Sequence, residues 1–172
     1  MLKENVNTQE EYMMFRKMRR AEKKAIPNDE AIKLLKEAKR GVLAVAGDDD
    51  YPYAVPINFY YDETAGKIYF HSSLAGHKVD AMKRNPKVCF TVFSDPQIKD
   101  LDWAPYLKSV VVFGKAQPIA EAEEKRKVLK TFAMKYYPSE AEADEEIAVD
   151  FNAMQMIEIT IEHMTGKEIQ EK

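Results

Sequence analysis

The side chains with the most chemistry to offer gather in one stretch, Ile68 to Lys78, which reads IYFHSSLAGHK. An apolar run passes through His71, Ser72 and Ser73 to Gly76, then into His77 and Lys78 at a helix start. Cations there oppose the macrodipole, whose N-terminal end is already positive, so a negative group is expected nearby. Gly76 permits a tight turn, the free N–H groups of the following helix point outward, the serines offer hydroxyls and Lys78 adds a full charge. Together they form a phosphate cradle. A plainer reading also fits: the serines form the turn, Lys78 is solvated, and Asp80 answers the dipole.

Other chemistries find less support. His71, His77 and His163 are the only histidines and Cys89 the only cysteine, with no H-E-x-x-H or C-x-x-C spacing, so no metal site is expected. No nucleophile elbow surrounds Ser72, Ser73 or Ser109, and G-x-G-x-x-G and P-loop patterns are absent, which disfavours hydrolase, Rossmann and kinase folds. Cys89 lies in VCFTVF and reads as a buried strand thiol. A lone cysteine leaves no intramolecular disulfide and fits a reducing interior.

The elements that must position these residues change period along the chain. Residues 8–25 read as a helix whose solvated face carries Arg16, Lys17, Arg19, Arg20, Lys23 and Lys24, and Asp29 to Lys39 reads as a second, capped by Asn28. Six strands follow: GVLAVAG, YAVPINFYYD, KIYFHSS, KVCFTVFS, SVVVFGKAQPI and MQMIEITIEHM. A short helix starts at Gly76, a longer one covers Glu121 to Tyr137, and Pro138 to Glu146 reads as an acidic loop. In IYFHS, alternation sets Ile68 and Phe70 on one face and Tyr69 and His71 on the other. In the last strand Glu158, Thr160 and Glu162 alternate with isoleucines, so one face is expected to be wet. Pro56 in mid-strand fits an edge, or a place where a planar ligand meets the backbone of residues 56–58. Ser109 to Val112 is more apolar than a solvated face needs, which suggests an outer surface covered by another subunit.

Hairpins and short helical connections point to a mainly β, α+β protein: a six-stranded antiparallel sheet closing into a small barrel with peripheral helices. One domain over 1–172 is expected, with N-terminal helices at 1–40, barrel strands and the short helix at 41–118, and a helix and last strand at 119–172. A net charge of -3 with mixed signs gives no basic excess for nucleic acid. No apolar run reaches the roughly 20 residues that span a bilayer, and the first residues lack a signal-peptide core, so a cytoplasmic protein is expected.

The segments VPINFYYD, KIYFHSSLAGHKVDAMKRNPKVCF, SVVVFGKA and ITIEHMTGK, in that order, resemble the pyridoxamine-phosphate-oxidase-like, FMN-binding split-barrel superfamily, and within it the nitroimidazole-resistance (Nim) flavoproteins. The resemblance implies a homodimer of split barrels with FMN at the subunit interface. It assigns the phosphate to His71, Ser72 and Lys78, with His77 where the oxidases have an arginine, and Tyr69, Phe70 and Ser73 join them among the cofactor-binding residues. The Val55, Pro56, Ile57 and Asn58 backbone would line the flavin ring, and Ser109 and Val110 would be offered by the partner strand. His71 is similar to a histidine beside the flavin in Nim proteins and is the candidate catalytic group. No arginine follows Arg126 and no tryptophan follows Trp103, which disfavours pyridoxine-phosphate oxidation. The implied activity is flavin-dependent reduction of a small electron-poor substrate such as a nitroaromatic. Alternatives are a non-catalytic flavin-binding or redox-sensing role, and the same barrel carrying haem or a deazaflavin.

Overall fold

The computed structural model describes residues 15–100 and 102–170. One antiparallel sheet holds seven strands: β1 (Arg40–Ala46), β2 (Pro52–Asn58), β3 (Tyr60–Asp62), β4 (Lys67–Ser73), β5 (Lys87–Phe93), β6 (Tyr106–Pro118) and β7 (Met154–Gln170), in the spatial order β2-β1-β5-β6-β7-β4-β3. Among the described residues five α-helices accompany it: α1 (Ala21–Lys24), α2 (Asn28–Glu37), α3 (His77–Arg84), α4 (Ala122–Ala133) and α5 (Glu140–Asp150). The sheet curls into a half-barrel, so that Cα atoms of β2 and β4, far apart in strand order, come within 8 Å across a seam.

The seventh strand arises because YAVPINFYYD is not continuous. Phe59 breaks it, and its backbone is satisfied by α4's end rather than by a strand. The Phe59 N–H donates to the Tyr136 hydroxyl at 2.8 Å, that hydroxyl lies 2.6 Å from the Phe59 and Lys39 carbonyls, and Lys135 Nζ donates to the Ala38 and Phe59 carbonyls at 2.6 and 3.2 Å. Freed from the ladder, the Phe59 ring turns inward and meets Phe90 edge-on at 4.9 Å. The Lys135 amine lies among carbonyls and aromatic faces, and burial and, next, the charge of Lys39 lower its pKa to about 8.

Three other expectations are corrected. Among the described residues the N-terminal helix is only Ala21–Lys24, and residues 8–14 of the expected helix lie outside them. Asn28 is the first residue of α2, while Pro27 holds the cap position without a side-chain bond. The acidic loop at 138–146 is instead the start of α5, because Ser139 Oγ accepts the Glu142 N–H at 3.3 Å, and Ser139 with Glu142 makes the S-x-x-E pattern of a capping box.

The core fills the concave side. Leu43, Phe59, Ile68, Phe70, Phe90 and Ile159 are fully buried there, closed at the ends by Leu35 of α2 and Ala81 and Met82 of α3. A second cluster lies outside the barrel, where Leu129 and Phe132 of α4 and Ile147 of α5 cover Tyr69 and Met156. Glu158 falls under this cover instead of on a wet face. It is 5% exposed and held at 2.7 Å by both Lys67 Nζ and Gln117 Nε2. Among the described residues, no helix is long and apolar enough to cross a membrane.

Candidate functional site

Two sheet edges meet at the seam. Among the described residues β2 pairs only with β1, so the outer edge of Val55–Asn58 has no strand partner there, and Pro56, which lacks an N–H, costs no ladder bond on that edge. β3 covers β4 only at Lys67–Tyr69, which leaves Phe70–Ser73 with β7 as its single neighbour. The two stretches singled out in the sequence are therefore both open backbone edges. Their side chains differ in use. Val55 and Ile57 lean on the core, Pro56 is exposed, Asn58 is half-buried, and Phe70 is fully buried. Any contribution Phe70 makes to a ligand is through its backbone.

Beyond the edge of β4 the chain turns at Gly76, whose φ of 128° is left-handed territory that glycine enters without a steric penalty. No side chain caps the start of α3, so its first N–H groups have no side-chain acceptor. Ser73 is a turn former, its hydroxyl donating to the Ala75 carbonyl at 2.7 Å. Ser72 is different: it is 3% exposed and its hydroxyl has no hydrogen-bond partner among the described residues. A buried hydroxyl without a partner costs on the order of 1–3 kcal/mol, a cost that an anion's oxygen would remove. Lys78 is half-buried and forms no ion pair among the described residues.

His77 is occupied elsewhere. Its ring stacks on Tyr53 at 4.0 Å and its Nε2 is 3.5 Å from Asp48, which also accepts Arg84 at 2.6 Å. The negative group expected at the helix start is thus, for His77, a carboxylate of the same chain. Asp80 answers Lys83 at 4.0 Å. Of the cations at the start of α3, Lys78 is the one without an ion pair among the described residues.

His71 stands on the outer face of β4 at the border of the helical cover, with Phe132 edge-on to its ring at 5.2 Å. Burial and, next, the charge of Lys78 lower its pKa, and Asp150 opposes them. Its neighbour Tyr69 is beneath α4, where burial and Glu158 push the phenol up to about 12. Because the protonated imidazole is disfavoured in the fold, His71 adds no penalty above its unfolded pKa of about 6.5 and weakens the fold as pH falls below it. An NMR titration should place its midpoint below 6.5, and Lys78→Ala should move it upward. An unmoved midpoint would remove Lys78 from the surroundings of His71.

Ser109 and Val110 do not reach the seam: β7 separates β6 from β4, and β5 and β1 separate it from β2. Ser109 is half-buried on the outer face, and the Val110 side chain is fully buried in the core. Sequence reasoning did not find Asp48, Phe132, Asp150 or Tyr136, which arrive from 23 to 79 residues away in the chain and carry no local signal. No three His, Cys, Asp or Glu side chains gather to hold a metal ion among the described residues.

The profile of the family described as pyridoxamine 5'-phosphate oxidase matches residues 27–168, most of the chain and both edges of the seam. The chain belongs to this family. No relative is found among curated proteins. Solved structures share the pyridoxamine-phosphate-oxidase-like fold. A candidate 5-nitroimidazole antibiotic resistance protein from Bacteroides thetaiotaomicron aligns with a TM-score of 0.72 at 21% identity, covering 86% of this chain and 87% of that one. A FAD-binding protein from Mesorhizobium loti gives 0.60 at 24%, covering 84% and 96%, and a FAD and heme binding protein from Mycobacterium smegmatis gives 0.69 at 18%, covering 87% and 74%. At these identities the likeness establishes the fold.

Proposed function

We propose that the chain is a flavoprotein that holds FMN along the seam, works as a homodimer, and reduces small electron-poor substrates of the nitroaromatic kind. The observation that carries this reading is the buried Ser72 hydroxyl, without a hydrogen-bond partner among the described residues and followed closely in the chain by a helix start with no side-chain cap and by Lys78, which forms no ion pair among the described residues. A phosphate satisfies all three at once. Family membership, together with neighbours described as FAD-binding and as a nitroimidazole resistance protein, supports a flavin in particular.

When bound, the flavin supplies the hydride or single-electron chemistry. Lys78 and Ser72 bind the phosphate, and the Val55–Asn58 edge offers backbone groups to the ring. With a lowered pKa, His71 is mostly neutral at pH 7 and presents one N–H donor and one acceptor to whatever enters beside it. Partnership is supported by the outer face of the sheet. Register aligns Ala54, Ala44 and Cys89 in one row and Pro56, Val42, Thr91 and Val111 in the next, with Phe93 60% exposed beside Ser109. A second chain laid on these rows would cover them and bring Ser109 toward the partner's seam.

Stopped-flow reoxidation of the reduced holoprotein by a 5-nitroimidazole tests the activity. Substrate-dependent return of the oxidised flavin band is expected. A flavin that reoxidises no faster with the substrate than without it would leave a binding protein and sink the reductase reading. Sedimentation of the holoprotein should give two chains with two flavins.

A further inference from the structure

A cavity of about 1030 Å³ is formed where the segment around α1 crosses β7, by residues outside the seam. One wall is pinned. Ile26 N–H donates to the Gly166 carbonyl at 3.2 Å, Ala25 bridges Lys167, and a Cβ on Gly166 would stand 2.5 Å from Ile26 Cγ1 and 3.0 Å from Ala31 Cβ. The apolar lining comes from Met18, Ile26, Ala31 and Met164, and the Phe15 ring stacks on His163 at 4.7 Å with Phe113 behind it at 5.5 Å.

Charge distinguishes this cavity from an ordinary groove. Lys17, Arg19, Arg20, Lys23 and Lys24 line it against a single carboxylate, Glu22, in a chain whose net charge is -3. None of the five cations forms an ion pair among the described residues. Like charges so close together repel, and an anion would relieve them. One carboxylate would answer only part of five charges, whereas a pyrophosphate answers several, and the arginine fork matches phosphate oxygens. The apolar lining and the ring of Phe15 suit a heterocyclic base. The volume lies just above the roughly 300–1,000 Å³ range of small-molecule sites, which favours a dinucleotide over a single base.

We infer that this cavity binds a pyrophosphate-bearing nucleotide of dinucleotide size. The inference goes beyond the flavin reading and does not rest on it, although nicotinamide dinucleotides, which carry hydride for many oxidoreductases, belong to the class.

Calorimetric titration of NADP⁺ into the full chain saturated with FMN tests it, since the flavin then blocks its own site. One NADP⁺ per chain is expected, with affinity falling as salt rises. Arg20→Glu/Lys23→Glu should weaken NADP⁺ at least about tenfold, about 1.4 kcal/mol, and leave FMN affinity unchanged. Phe15→Ala should weaken NADP⁺ but not inorganic pyrophosphate, which lacks a base. The inference is overturned by absent or unsaturable NADP⁺ binding, by binding indifferent to the charge reversal, by palmitate binding in place of NADP⁺, or by charge reversal that dissociates an assembly of chains without affecting nucleotide.

Discussion

Gly114→Val is expected to destabilise the chain by about 3 kcal/mol, the upper part of the range for over-packing. For a chain of this size that lowers the melting temperature by about 6–12 °C. Gly114 is where the β6–β7 register slips: Phe113 faces His163 but Gly114 faces Ile161, so Glu162 is the extra residue of a bulge. A Cβ there would stand 2.3 Å from the Thr160 carbonyl oxygen and 2.8 Å from Ile159 Cγ2. The first contact is backbone in the longest ladder of the sheet, so neither side can yield cheaply. Gly66→Ala is the control. Its Cβ meets nothing within 4 Å, and only the φ of 63° opposes it, at about 1–2 kcal/mol. Thermal melts in which Gly114→Val cost no more than Gly66→Ala would show that the bulge tolerates a side chain.

Lys78→Ala is expected to weaken FMN binding at least about tenfold, a loss of about 1.4 kcal/mol or more, with little change in melting temperature. Charge-assisted bonds to phosphate are among the stronger polar contacts, and Lys78 has no ion pair among the described residues to lose with the mutation. Lys83, at the other end of the same helix and 4.0 Å from Asp80, serves as the control, because Lys83→Ala removes a cation that points to no phosphate. Lys78→Arg keeps the charge and should retain most of the affinity. If Lys78→Ala and Lys83→Ala bind FMN alike, the anchor is misassigned.

How far the sequence led depended on whether the governing contacts were local. Alternation in IYFHS placed Ile68 and Phe70 inside and Tyr69 and His71 outside, as found. Pro56 correctly marked an edge, because a missing N–H is a property of the residue itself. The break at Phe59 was not legible: it depends on Tyr136, 77 residues away, whose hydroxyl replaces the strand partner. Nor was the carboxylate beside His77 legible, since the fold supplies Asp48 from a turn 29 residues earlier. Helix α5 is the opposite case, since its S-x-x-E cap was present in the sequence and was outweighed by the acidic composition around it. Glu158 followed strand alternation, and only the cover of α4 turned a wet position into a buried one.

FMN binding through Ser72 and Lys78 at the seam, proposed above for this member of the pyridoxamine 5'-phosphate oxidase family, is open to one titration. Titrating FMN into the purified chain, with the flavin's visible absorption and fluorescence as readouts, tests it most directly. A saturable spectral change with one FMN per chain is the predicted result. A chain that leaves the spectrum of added FMN unchanged, or that emerges carrying haem in place of flavin, would contradict it.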